Sequence, residues 1–153
     1  MGRKPKAKNE PQKWEHNPLY RNQRGNIGDK HYLRMYDSML YSPAFRCLSG
    51  TGSKLYLILR SQYRDLPAQT GGTIKCPYRY LLSNGFNSAD TLSNAFLELE
   101  AYGFIEVKLS GGHNIPNEYR LSDKWIAISE EEGKQIKRHI KETRKSKHMH
   151  GNI

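Results

Sequence analysis

The sequence predicts an α+β domain, mainly helical, in which a three-helix core carries a two- to three-stranded antiparallel sheet and basic arms extend from both ends. Three observations predict it. Residues 88–103, Ser-Ala-Asp-Thr-Leu-Ser-Asn-Ala-Phe-Leu-Glu-Leu-Glu-Ala-Tyr-Gly, have helical periodicity and marked ends. The next segment, Phe104-Ile-Glu-Val-Lys-Leu109, alternates as a half-buried strand does, and Ser110-Gly-Gly then turns the chain toward a second strand, Glu118-Tyr-Arg-Leu121. Finally, the charge is uneven. Residues 1–34 hold nine Lys/Arg against three acids, net +6; residues 129–153 hold seven against four, net +3; residues 35–128 are nearly neutral at +1.

Composition sets the outer bounds. The 153 residues suit one domain. With 36% apolar residues and a mean hydropathy of −0.85, the core is expected to be small and part of the chain unpacked. Residues 1–31, rich in Lys, Asn, Gln, Pro and Gly, read as a disordered basic arm; residues 32–126 read as the domain and 127–153 as a charged helix or tail. No apolar run approaches the ~18 residues of a membrane span, and the basic N-terminus lacks the apolar stretch of a signal peptide. The expectation is a cytoplasmic protein in which Cys47 and Cys76 stay reduced.

Along the domain, residues 31–40 have mixed periodicity, compatible with a short strand or a helical turn. Ser42-Pro43 supplies an N-cap hydroxyl followed by proline at N1, opening one turn through Phe45 and Leu48. Residues 49–53, Ser-Gly-Thr-Gly-Ser, read as a loop. A helix over 53–64 follows, with Leu55, Ile58, Leu59 and Gln62 on one stripe and Tyr56 and Tyr63 at its edge. Residues 66–72 form a link and 73–76 a short β-branched strand. Pro77 opens a second helix through Leu82, stopped by Asn84-Gly85. In the third helix Leu92, Phe96 and Leu99 recur at i, i+4, i+7, with Ser88 as N-cap and Gly103 at the left-handed C′ position. Trp125 and Ile126 are expected to cap the core. A terminal helix over 130–145 has apolar positions only at Ile136 and Ile140, a stripe too thin to pack strongly and too thin to decide whether the chain forms a homodimer.

Helix, strand, helix, tight turn, helix, strand, glycine-bearing loop, strand is the winged helix-turn-helix order, with the helix-turn-helix and wing themselves over residues 76–121. At residues 82–105 the chain resembles the MarR- and GntR-type winged-helix regulators, through Gly85, Ser88, Thr91, Ala95, Phe96, Leu99, Glu100, Gly103, Phe104 and Ile105. The wider stretch 35–59, with Ser42-Pro-Ala-Phe-Arg46 and Lys54-Leu-Tyr-Leu-Ile-Leu59, is similar to small, replication-initiator-like winged-helix proteins of phages, plasmids and conjugative elements. The resemblance implies a bacterial, nucleoid- or plasmid-associated protein of a mobile element, acting as a transcription regulator or as a DNA replication or transfer accessory factor.

A helix fits the major groove of duplex DNA, and short polar side chains on its leading turns reach base edges. The expected recognition-helix set is Ser88, Asp90, Thr91, Ser93, Asn94 and Leu97, with Asn94 able to pair adenine and Leu97 read as exposed. Tyr78, Arg79 and Tyr80 at the start of the second helix would meet phosphate. Lys108, His113, Asn114, Asn117 and Arg120 would carry the wing. Basic arms add sequence-independent affinity by releasing condensed counterions. Against this, Asp90, Glu98 and Glu100 give residues 88–103 a charge of −3 without a single Lys or Arg. The alternative is therefore a winged helix that binds a replication or conjugation protein.

Other chemistry is thin. Glu98 and Glu100 do not share a helix face and make no acid–base pair. The terminal His148-Met-His150 lacks the clustered ligands of a metal site. No Arg/His constellation activates any of the ten tyrosines, which read as packing residues. The chain is read as a non-enzyme without metal or cofactor.

Overall fold

The computed structural model describes residues 33, 35–63, 72–109 and 116–150. All but Leu33 fall in one compact unit, Arg34–Ile153. The basic arm expected over 1–31, the link at 66–71, the wing turn at 110–115 and the last three residues lie outside the described residues.

The unit is α+β and mainly helical. Helices α1 (Asp37–Leu40) and α2 (Pro43–Cys47) lead into α3 (Gly50–Tyr63), strand β1 (Ile74–Lys75), helices α4 (Tyr78–Ser83) and α5 (Ala89–Ala101), and strands β2 (Ile105–Leu109) and β3 (Glu118–Leu121). A 3₁₀ turn, Lys124–Ala127, precedes the long α6 (Glu130–His150). The three strands form one antiparallel sheet in the order β1-β3-β2. Ile74 faces Tyr119 across β1 and β3, while Ile105, Glu106 and Val107 of β2 face Leu121, Arg120 and Tyr119 of β3.

Local chemistry explains most boundaries. The Ser42 hydroxyl accepts from Phe45 N–H at 3.2 Å, with Pro43 at N1 of α2. Ser88 Oγ accepts from Thr91 N–H at 3.1 Å and opens α5. At the other end of α5, Gly103 takes φ +75°, the left-handed value that ends helices at low steric cost. Residues 37–40, ambiguous in sequence, form a helical turn.

The core is aromatic and aliphatic. Leu55, Tyr56 and Leu59 of α3, Leu92, Phe96 and Leu99 of α5, and Tyr102, Phe104, Ile105 and Tyr119 are all buried. Tyr78, Phe96 and Tyr119 stack in series, with ring centroids 5.8 and 4.3 Å apart, and Phe104 stacks on Trp125 at 5.9 Å. Offset stacking adds to the area each ring removes from water.

Four expectations need correction. Residues 50–53 are not loop but the first turn of α3, because a distant carboxylate caps it (below). Tyr56, placed at the edge of the α3 stripe, is central and 2% exposed. Trp125 covers the core, but Ile126 is turned out at 67% exposure, since the 3₁₀ turn puts adjacent residues on different sides. The terminal helix α6 does pack. Ser129 and Glu132 form a reciprocal capping box, at 2.8 and 3.2 Å, that starts it beside α2. Gly133 then allows close approach, since a Cβ there would meet Cys47 Sγ at 3.3 Å. Ile140 is buried and Ile136 packs against the core. The missing side chain at 133 makes a thin apolar stripe sufficient.

Candidate nucleic-acid interface

Helices α4 and α5 are joined by a turn in which Gly85 has φ +85°. Phe86, which carries no periodic or capping signal, is buried in that turn. Lys54 of α3 closes over it, its Nζ 4.7 Å from the Phe86 ring centroid and donating to Gly85 O at 3.1 Å. A cation over an aromatic face and a bond to a turn carbonyl tie the α4–α5 turn to α3. The signal was present in sequence only as a lysine on a helix otherwise facing the core.

The α5 surface divides into two parts. Its leading turns expose Ser88, Asp90 and Ser93, with Thr91 half-buried. Ser88 and Thr91 hydroxyls lie 3.0 Å apart, and Ser93 Oγ lies 3.1 Å from the Tyr78 hydroxyl, so these groups are already held in place. Further along, Asn94 and Leu97 are half-buried. Leu97, expected to be exposed, packs against the core, and the Asn94 carbonyl accepts from Arg144 Nη2 of α6 at 3.5 Å. The outward face of α5 is therefore shorter than periodicity alone suggests, because α6 reaches its middle.

Helix α4 presents Arg79 and Tyr80 to solvent, while Tyr78 is half-buried in the aromatic stack. On the sheet, Arg120 is exposed, and Asn117 Nδ2 donates to the Tyr119 hydroxyl at 3.0 Å. His113 and Asn114 lie outside the described residues. Lys108 is exposed but paired: its Nζ is 2.8 Å from Glu106 Oε2, while Lys124 Nζ is 2.9 Å from Glu106 Oε1. Glu106 also stands opposite Arg120 in the β2–β3 register. Its bonds to Lys108 and Lys124 hold the Glu106 carboxyl at about 2, well below the ordinary 4.5. These pairs favour the folded state above pH 4.5 and lose that contribution as pH falls toward 2. Both are solvent-exposed and screened, so Glu106→Gln should flatten the acid limb of a denaturation profile only slightly.

The buried carboxylate of α5 is the group sequence reasoning misread. Glu98, read from the sequence only as part of the −3 charge of residues 88–103 and as no partner for Glu100, is 4% exposed. Its two oxygens accept from Ser49 N–H and from Ser49 Oγ, and Arg144 Nη2 is 3.7 Å from Oε2. Ser49 Oγ in turn accepts from Gly52 N–H at 3.0 Å. In a local capping box a Glu three residues after the cap would return to the cap N–H. Here that position is Gly52, and a Cβ on it would stand 3.1 Å from Glu98 Oε2. Glycine makes room for α5 to supply the carboxylate from 49 residues away.

Burial pushes the Cys76 thiol up to about 11, which keeps it protonated and unreactive at neutral pH. Among the described residues, no group of three or more His, Cys, Asp and Glu is placed to hold a metal ion. No helix among them is long and apolar enough to cross a membrane. No family model, curated protein or solved structure matches the chain.

Proposed function

We propose that this chain is a winged helix-turn-helix protein that binds duplex DNA, with the leading turns of α5 in the major groove and the β2–β3 hairpin as the wing. The observation that carries the reading is the packing of α3, α4 and α5 about the Gly85–Phe86 turn, with the antiparallel hairpin directly after α5. That arrangement lifts Ser88, Asp90 and Ser93 outward on a helix end, with exposed Arg79 and Arg120 on the neighbouring elements. Helix-turn-helix domains dock in this way, the second helix of the pair reading bases. The net charge of +10, concentrated in the terminal segments, supplies the polyanion affinity. The role is non-enzymatic, that of a regulator or of a replication or transfer accessory factor of a bacterial mobile element, as the sequence resemblance implies.

A protein partner in place of DNA is favoured by one feature: residues 88–103 carry −3, and the wing lysine Lys108 is neutralised by Glu106. A homodimer through α6 gains no support from Ile136 and Ile140, which pack against this chain's own core.

Titration of a labelled duplex across a salt series separates the two. The full chain is expected to bind with log K falling linearly against log salt, and removal of residues 1–30 should flatten that slope. Glu106→Gln, by releasing Lys108 and Lys124, should tighten binding to all sequences and steepen the slope by up to ~0.9 per added phosphate contact. Ser93→Ala, on the exposed leading turns, should affect chosen over random sequence instead. Binding that is weak, abolished by removing the arm and indifferent to Glu106→Gln would favour the protein partner.

A further inference from the structure

Between the N-terminal end of α3, the C-terminal half of α5 and one face of α6 lies a cavity of about 540 Å³. Its walls include Leu48, Ile140 and the Tyr102 ring, all apolar. Its rim is cationic: Lys137, Lys141 and Arg144 recur at i, i+4 and i+7 along α6, with Lys145 beside them. A basic stripe on an exposed helix is usually only a solvated surface. Two features make this one a site.

The first is an unsatisfied floor. Tyr102 is 1% exposed, and its hydroxyl has no oxygen or nitrogen partner among the described residues. The Cys47 thiol beside it is a weak sulfur acceptor and leaves the hydroxyl poorly satisfied. Burial raises the Tyr102 hydroxyl above its ordinary value, so it stays protonated and is a donor open to a stronger acceptor. Arg144 Nε is also buried, and has no partner among the described residues. Buried donors of this kind cost stability unless something accepts from them.

The second is the charge balance. Four cations line the cavity against one carboxylate, Glu98, which pairs with Arg144 at 3.7 Å and leaves Lys137, Lys141 and Lys145 without a carboxylate in the lining. What is missing is an acceptor carrying negative charge. The volume falls within the ~300–1,000 Å³ of small-molecule sites, which combine apolar walls with a few convergent polar groups.

We propose that this cavity binds a small organic anion, a carboxylate on an aromatic or similarly apolar body. The carboxylate would take the cationic rim and the donors of Tyr102 and Arg144, and the apolar body would lie against Ile140 and Leu48. The proposal stands independently of DNA binding, since neither the rim nor the floor belongs to the leading turns of α5.

The test is calorimetric titration of the full chain with 1-naphthoate, with 1-naphthol, acetate and inorganic phosphate as comparisons. One naphthoate should bind per chain, at least about tenfold more tightly than any of the three. Tyr102→Phe keeps the ring and removes only the hydroxyl; Lys141→Gln removes one rim charge. Each should weaken naphthoate about three- to tenfold; the thermal midpoint of the unliganded chain should stay nearly unchanged in Lys141→Gln and rise slightly in Tyr102→Phe, which removes a poorly satisfied buried donor. Three results would overturn the proposal: no naphthoate binding, phosphate binding as tightly as naphthoate (a charge effect of the basic helix alone), or naphthoate binding indifferent to both substitutions.

Discussion

Glu98→Ala is expected to destabilise the fold by about 3 kcal/mol in urea denaturation. The carboxylate is buried and holds the N–H and hydroxyl of Ser49. Its loss leaves the Ser49 N–H unmatched at the start of α3 and leaves Arg144 without its 3.7 Å counter-charge. The cost falls chiefly on the part-buried Ser49 N–H and hydroxyl left without an acceptor, since the Arg144 side chain is 38% exposed and regains water. Glu98→Gln retains an acceptor and the shape, and should lose roughly half as much. Ser49→Ala removes the cap hydroxyl from Gly52 N–H and should cost about 1 kcal/mol, the ordinary worth of an N-cap. A loss below about 1 kcal/mol for Glu98→Ala would show that α3 does not depend on α5 for its cap.

Gly103→Ala should destabilise by about 3 kcal/mol or more, for reasons of backbone geometry alone. Gly103 sits at φ +75°, where an L side chain costs roughly 1–2 kcal/mol. A Cβ there would also stand 2.7 Å from Trp125 N and 2.8 Å from Lys124 C. Those are main-chain atoms of the 3₁₀ turn and cannot swing aside, and Trp125 N–H donates to Gly103 O at 3.2 Å. The substitution must move the turn that places Trp125 against Phe104. Gly50→Ala is the contrast: nothing lies within 4 Å of its Cβ position, so thermal denaturation should show a neutral or slightly stabilising change.

These two positions also mark what was legible in sequence. Gly103 was, because a helix end is written locally: Ser88 at one end, glycine at the other, and an apolar repeat between them. Strands β2 and β3 and the Ser42-Pro43 start of α2 were legible for the same reason. Glu98 was not, since its partner is 49 residues away in sequence and a glutamate on a helix ordinarily faces water. The same contact explains why residues 50–53 read as loop. Gly50 and Gly52 weaken a helix in isolation, and only the tertiary cap overrides that preference.

The candidate interface was legible as an order of elements, less so as a set of side chains. Ser88, Asp90, Ser93, Arg79 and Arg120 are exposed as periodicity implies. Asn94 is partly covered because Arg144 of α6 reaches α5, and Leu97 because it packs against the core, while α6 is seated on α2 through Gly133, a residue that carries no hydrophobic signal. Lys108 is neutralised by a carboxylate that the strand register and the 3₁₀ turn surround with Lys108, Lys124 and Arg120. The Glu106–Lys108 pair, at i and i+2 on one strand face, follows from spacing, whereas the contacts through Lys124, Arg144 and Gly133 do not.

The central claim is that the leading turns of α5 read duplex DNA. Selection of bound duplexes from a random pool, with the full chain and with Ser93→Ala on the exposed leading turns, tests it most directly. The account predicts that the full chain enriches a common sequence of several base pairs and that Ser93→Ala relaxes or changes it. A bound pool indistinguishable from the input, with either chain, would contradict it.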